Sequence, residues 1–436
     1  MTRISSILAK GLVASHAAVV AGLSTLKVDT SSGEVVGMIN GSTPAVAQFM
    51  GIPFAEPPLD SLRFLPPQPK LREQETINAT FTRPVQLDPK NYRNNIFGFP
   101  NARYLADNGT NVNMGLLDQR TALEWTRDNI GAFGGDASCI VIWGQSSGSA
   151  STDFYNYAYP EDPIVAGLIQ HSGSVFATGV AVDSAHQNFT FVAQSLGCGN
   201  ATTAEDEFRC MQTNVSADAI IDLYGQYNLN HSSYQLKWTT ITDNVTKWDN
   251  YTARAYAGNY TKVTSIAGSN GNEDASLISF PGVDGPNITE VREKVRTGRT
   301  CPVTYLSNLR YDTGARTFRY WNNASFPNIS PLWWEGAYHT SELGLLFGTY
   351  IEYGVGPATE FEHQVADTWQ DFYLAFIKDP TGDGLIEMGW PTWAPDAAEA
   401  VMVFGQDGVA SQLWNATWFE TQCEGVAITT GTNIVM

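Results

Sequence analysis

Only five cysteines and six histidines occur in 436 residues, and Lys and Arg together number 25 against 44 Asp and Glu. So few cysteines exclude a scaffold held mainly by disulfides, and a hydrophobic core must do most of the holding. The formal charge of -19 comes from carboxylates scattered along the chain. With no basic stripe to offset it, this charge opposes nucleic acid and anionic membranes as partners. No apolar run beyond the first residues is long enough to cross a bilayer, so no transmembrane segment is expected. Repeats, low-complexity tracts and linkers are missing too, which favours one domain. Residues 51 to 138 also lack any long Val/Ile/Leu run of the kind that forms a buried parallel strand.

What is present suffices for a large core, with 43% hydrophobic and 12% aromatic residues. At the start, Arg3 and Lys10 flank a segment that turns apolar and ends on small residues near Ala21. Residues 1–21 therefore read as a secretory leader, leaving 22–436 as the domain. Asn-x-Ser/Thr sequons at Asn40, Asn78, Asn108, Asn188, Asn200, Asn214, Asn230, Asn244, Asn250, Asn259, Asn287, Asn323, Asn328 and Asn415 fit a surface adapted to a glycosylating pathway. A secreted glycoprotein is the expectation. Cys198 and Cys210 bracket a short polar loop, where a bridge limits unfolded-state freedom by about 3 kcal/mol. Cys139 reads as a free core thiol at the start of a buried strand, and the spacing leaves open whether Cys301 and Cys423 pair.

Short apolar runs at Cys139–Trp143, Val165–Ile169, Val263–Ala267, Thr317–Trp321 and Val401–Phe404 alternate with helical or irregular segments. That alternation predicts an α/β sheet with covering helices. Gly33–Ile39 and Ala45–Met50 read as an N-terminal hairpin. Helices are expected from Gly115 to Ile130, ending at Gly131, and from Thr359 to Ile377.

The first apolar run leads into Gly144-Gln-Ser146-Ser-Gly148. A Gly-x-Ser-x-Gly pattern between a strand and a helix holds a serine on a sharp turn with its hydroxyl above the sheet, and the glycines let strand and helix pack closely. Ser146 is thus the candidate nucleophile. A serine hydroxyl needs an imidazole to take its proton and a carboxylate to orient that imidazole. Folds with this turn place the acid and then the base after the serine, which excludes His16. His171 ends a predicted strand, His186 and His231 sit in polar surroundings, and His363 lies inside a helix. His339 lies in a polar loop before an apolar run and is the candidate base. Upstream of it, the strand ending near Ala267 leads into Glu273 and Asp274, and the residues alone do not choose between them.

Together these residues resemble the type-B carboxylesterases, the family of the cholinesterases and fungal extracellular lipases. Further landmarks in family order are Phe49–Pro58, Leu62–Phe64, Asn91–Arg93, Gly115–Arg120, Phe133–Asp136 and His171–Gly173, so the resemblance covers nearly the whole chain. It implies an α/β-hydrolase fold, with a central mostly parallel sheet, and ester hydrolysis through an acyl-enzyme without cofactor or metal. Ser146 matches the family nucleophile, Glu273 its acid within Asn-Glu, and His339 its base within His-x-x-Glu-Leu. Cys198 and Cys210 match a family disulfide.

Two departures stand out. Gln145 occupies a position where the family usually has Glu, which argues against cationic substrates. More seriously, the family's His/Tyr-Gly-Gly-Gly segment, which supplies most oxyanion-hole donors, has no counterpart. Between Val85 and Asn91, where the family has several tens of residues, only Gln86–Lys90 remain. An internal deletion near 85–91 is therefore expected, with the adjacent strands missing from the sheet. The backbone N–H of Ser147 is the one oxyanion donor that can be assigned. The resulting expectation is a secreted serine hydrolase of neutral, apolar small-molecule or lipid esters, impaired by that loss. A noncatalytic secreted binding protein on a hydrolase fold is the alternative. A carbohydrate-active enzyme rests only on acidity, sequons and Trp content, which are generic features.

Overall fold

All five alternating apolar runs become neighbouring strands of one sheet in the computed structural model, which describes residues 26–80, 91–109, 112–177, 183, 185–231, 235–353, 355–430 and 433–435. The leader read at 1–21 and all but the last residue of the junction near 85–91 lie outside the described residues. The strands are β1 (Lys27–Thr30), β2 (Gly33–Val36), β3 (Met38–Ile39), β4 (Ala47–Gln48), β5 (Ile77–Asn78), β6 (Val141–Gln145), β7 (Gly167–His171), β8 (Thr264–Asn270), β9 (Thr317–Asn322), β10 (Val401–Gln406), β11 (Val409–Trp414), β12 (Ile428–Thr430) and β13 (Asn433–Val435). The helices that matter here are α1 (Met114–Asn129), α2 (Ser147–Ala158), α3 (Ala204–Thr213), α4 (Cys301–Asp312), α5 (Ser341–Leu346) and α6 (Glu360–Lys378).

The described residues fall into two compact units, one within Met1–Ala137 and Ala181–Asp243, the other within Ser138–Val180 and Asn244–Met436. The second unit holds a six-stranded sheet in the order β11-β10-β9-β8-β7-β6. Strands β6 to β10 run parallel and β11 is antiparallel. Both faces are covered, as an almost wholly parallel sheet requires. Tyr320, Met402 and Phe404 point to a core shared with Val365, Trp369, Phe372 and Phe376 of α6. Their strand neighbours Trp321, Val401 and Val403 point to a second core with Val291, Val295 and Phe419. The period of two along β9 and β10 thus sorts side chains between the cores. Helix α6 starts with a capping box, in which Thr359 and Glu362 each satisfy the other's backbone N–H. The Cys301–Cys423 bridge closes within this unit, which settles that pairing.

Strand β7 is buried along its whole length, whereas β6 is only partly buried at every residue except Gly144. Among the described residues β6 pairs with β7 alone and is the edge of the sheet. Among the described residues the sheet thus has no strand beyond β6, as expected from the sequence. Between residues 51 and 138 the described residues contribute one strand, the two-residue β5, and it pairs with β2 in a separate small sheet.

The first unit packs around Phe64, Phe97, Met114, Phe189 and Phe208, with the expected Cys198–Cys210 bridge beside them. Helix α1 runs as expected, then tightens into a 3-10 turn that Gly134, at φ 85°, terminates. The expected hairpin forms only in part: β3 pairs with β4, but Gly33–Val36 pairs back onto β1. Gly37 divides the two pairings, and a Cβ there would lie 2.5 Å from the Gln48 carbonyl oxygen. Cys139 also departs from expectation. It is not disulfide-bonded, but it closes a 3-10 turn ahead of β6 and is partly exposed instead of lying in the core.

Candidate active site

Ser146 sits between β6 and α2 at φ 57° and ψ -119°, a backbone conformation that costs a side-chain-bearing residue energy. Packing imposes it. A Cβ on Gly144 would lie 2.1 Å from the Gly148 carbonyl oxygen, so strand and helix approach closely only because residue 144 is glycine. A second close approach is at Gly173, just past the end of β7, where a Cβ would lie 2.3 Å from the Ser146 carbonyl oxygen. Gly148 differs: a Cβ there meets nothing within 4 Å. The glycines that shape the turn are thus 144 and 173, and the second is invisible in the Gly-x-Ser-x-Gly pattern. The Ser146 N–H donates to the His171 carbonyl oxygen at 2.8 Å, carrying the sheet pairing one residue past the end of β6.

Glu273 opens a 3-10 turn just beyond the C-terminal end of β8, where ligand sites of parallel sheets form. It is fully buried, so it is no solvated turn carboxylate. One carboxylate oxygen accepts from the Asn270 N–H at 2.7 Å, and the other meets His339 Nδ1. The His339 N–H also donates to the Glu273 carbonyl oxygen, at 3.2 Å. The loops of acid and base are further stitched by Asn272. Its side chain donates to the carbonyls of Trp334 and Glu335, both at 2.7 Å, and its N–H donates to Ala337. Thr340 holds a left-handed φ of 78° immediately after the base. Asp274 has no part in the pair. Burial raises its carboxyl above the ordinary range, against the Arg299 guanidinium, and one of its oxygens is buried without a hydrogen-bond partner.

His339 Nε2, the nitrogen facing away from Glu273, lies 3.2 Å from the side-chain amide nitrogen of Gln145, the residue before Ser146. Serine, histidine and glutamate of the sequence reading therefore come to one end of the sheet, all in the second unit. Ser147 is the exposed first residue of α2, and its N–H is among the unmatched first-turn donors of that helix. Sequence reasoning missed Gly173, Asn270 and Asn272. The two asparagines alternate across the run Ser269-Asn-Gly-Asn-Glu273, which reads locally as an ordinary turn.

A family model described as the carboxylesterase family matches residues 24–90 and 89–297. The chain belongs to the carboxylesterase family. It is 34% identical to a chlorogenic acid esterase of Aspergillus niger over 495 aligned positions, covering 91% of this chain and 94% of that one. It is 37% identical to secreted lipase 5 of Gibberella zeae over 349 positions, covering 76% of this chain and 64% of the lipase. The solved structure of a PNB esterase, 18% identical, superposes with a TM-score of 0.74 and covers 92% of this chain and 99% of that one. The chain therefore has the α/β-hydrolase fold, and ester hydrolysis is the chemistry that its family and relatives support.

Proposed function

We propose that the chain is a secreted serine carboxylic-ester hydrolase whose lineage acts on neutral, apolar esters through an acyl-enzyme. Ser146 Oγ attacks the ester carbonyl, and His339 Nε2 takes its proton and returns it to the leaving alcohol. Glu273 accepts from His339 Nδ1–H, fixing the tautomer and stabilising the imidazolium. Water then hydrolyses the acyl-enzyme by the same route. The observation that carries this reading is the fully buried Glu273 carboxylate, held by a backbone N–H on one oxygen and by the imidazole on the other. A noncatalytic binder has no chemical use for that pair beside a strained serine. Gln145, neutral where the family usually has Glu, supports uncharged substrates.

The same reading makes this chain a slow catalyst. The Ser147 N–H is the one donor assigned to the oxyanion, and losing a single donor from such a hole costs ~10²- to 10³-fold in rate. An internal deletion accounts for the loss. The family-model match comes in two blocks that meet at residues 89–90. The alignment with the Aspergillus niger esterase runs over 495 positions, more than the 436 residues of the chain, so it opens gaps on this side. Secretion draws support from the two disulfides and from relatives named as secreted lipases. Most described sequons are also solvent-accessible, Asn188 and Asn328 being the buried ones.

An organophosphonate probe tests the assignment. It is expected to label Ser146, slowly, with labelling lost in Ser146→Ala and in His339→Gln. Equal labelling of the Ser146→Ala protein would remove the serine from its role.

A further inference from the structure

Behind the acid and base, the C-terminal ends of β7, β8 and β9 carry polar side chains with no access to water: His171, Asn270 and Asn322 are each 0% exposed, as is Glu342 of α5. Burying such groups is unfavourable unless each finds a partner, and here the partners form one chain. His171 Nε2 lies 2.6 Å from the Tyr373 hydroxyl, and its Nδ1 lies 3.2 Å from Glu342 Oε1. Glu342 Oε2 accepts from Asn270 Nδ2 at 2.5 Å. The same Nδ2 donates to the Tyr338 carbonyl at 2.7 Å, and Asn270 Oδ1 accepts from Asn322 Nδ2 at 3.0 Å. Two acceptors on one side and a donor on the other permit only this orientation of the Asn270 amide.

We propose that Asn270 is a positioning residue that holds acid and base in one frame, anchored from behind by Glu342 and His171; this rests on the serine-hydrolase reading above. The backbone N–H of Asn270 fixes the Glu273 carboxylate at the oxygen that His339 does not use. Its side chain fixes the carbonyl of Tyr338, the residue immediately before His339. One residue thus sets the separation of the two loops from both sides. The Glu342 carboxylate, buried against His171, keeps the amide from rotating out of that position. Glu342 is the acidic residue of the His-x-x-Glu-Leu motif, and this gives it a role although it touches neither Ser146 nor the imidazole of His339 in any described hydrogen bond.

The test uses the full chain and two readouts. One is the rate of organophosphonate labelling of Ser146. The other is the far-downfield proton resonance of His339 Nδ1–H bonded to Glu273, assigned by its loss in His339→Gln. Asn270→Asp keeps the shape and the backbone N–H, but it removes both side-chain donors and sets a carboxylate against Glu342. It is expected to slow labelling by ~10²-fold, the cost of a misplacement of about an ångström, and to broaden the resonance away. The double variant Asn270→Asp with Glu342→Gln restores the bond between the two side chains but not the donor to the Tyr338 carbonyl, so it is expected to remain slow with a broadened resonance, and full recovery of both signals would overturn the proposal. Asn270→Ser removes the same donors without adding charge and gives the same reading if the aspartate variant fails to fold. Folded Asn270 variants with an unchanged resonance would overturn the proposal, whatever happens to the rate. The resonance arises from the Glu273–His339 bond and needs no reaction at Ser146. It therefore tests Asn270 even if wild-type Ser146 takes no label, an outcome that would instead sink the serine-hydrolase reading.

Discussion

The two sides of the candidate site are built to different standards. On the side of β8 and β9, the acid and base loops are joined by six hydrogen bonds through Asn270, Asn272, Glu273 and His339, and every strand has neighbours on both edges. On the side of β6, the strand leading to Ser146 is the sheet edge among the described residues, and the Ser147 N–H is the one oxyanion donor proposed there. In the proposed mechanism proton transfer depends on the first side and oxyanion stabilisation on the second. On the proposed mechanism a chain with this arrangement keeps its acid–base pair and still lacks most of its rate.

The largest effect should come from repairing the poorer side. Inserting, after Val85, the strand and Gly-Gly-Gly segment of a related carboxylesterase is expected to raise kcat on p-nitrophenyl esters by at least ~10²- to 10³-fold. Steady-state kinetics would check it, with KM changing much less, since the added donors act on charge that develops in the transition state. No gain in a folded protein would mean that the acid–base side is not competent as it stands.

Next come the glycines of the nucleophile turn, which separate packing from motif. Gly144→Ala forces a Cβ against the Gly148 carbonyl, and overpacking of this kind costs on the order of 3 kcal/mol. Gly148→Ala meets nothing and is expected to be neutral or stabilising by about 0.5–1 kcal/mol, as for Gly to Ala within a helix. Urea unfolding of the two variants reads the contrast directly, and equal losses would show that the turn is held in some other way.

On the richer side, Asn272→Ala leaves the carbonyls of Trp334 and Glu335 without their donor. The expected loss is about 1–3 kcal/mol in the same unfolding measurement, with slower Ser146 labelling because the base loop is loosened. Unchanged labelling in a destabilised variant would mean that the stitching supports the fold but not the site.

Legibility in the sequence follows the same division. Buried parallel strands are continuous apolar runs, so β6 to β10 could be read one by one, and Ser146, Glu273 and His339 followed from chain order and from the resemblance. The missing sheet neighbour is legible as well, because residues 51 to 138 offer no long Val/Ile/Leu run from which a buried parallel strand is built. Contacts between segments are not. Gly173 is needed only because the chain just past β7 crosses the Ser146 carbonyl, and Asn270 looks like a turn residue although it is the last residue of β8. The N-terminal hairpin departs from expectation because Gly33–Val36 pairs with β1 and the break at Gly37 depends on the approach of Gln48, neither of which is a local property of the run.

The smallest effect separates Glu273 from the carboxylate beside it. Burial raises the Asp274 carboxyl above its unfolded value, with the Arg299 guanidinium opposing and Glu273 adding to the rise. A raised acid binds its proton more tightly in the folded state, so its contribution to stability is present below the unfolded carboxylate range and is lost as pH rises through the folded value. Asp274→Asn is therefore expected to flatten the fall in stability on going from acid toward neutral pH, measured by thermal unfolding across that range. Ser146 labelling should stay within about twofold of wild type, because no hydrogen bond of the acid–base pair passes through Asp274 and exposed-to-half-buried substitutions away from such bonds have small effects. A steeper pH dependence in the variant would contradict the raised Asp274 carboxyl, and loss of labelling comparable to that of His339→Gln would move the catalytic acid from Glu273 to its neighbour and undo the contrast between the two sides.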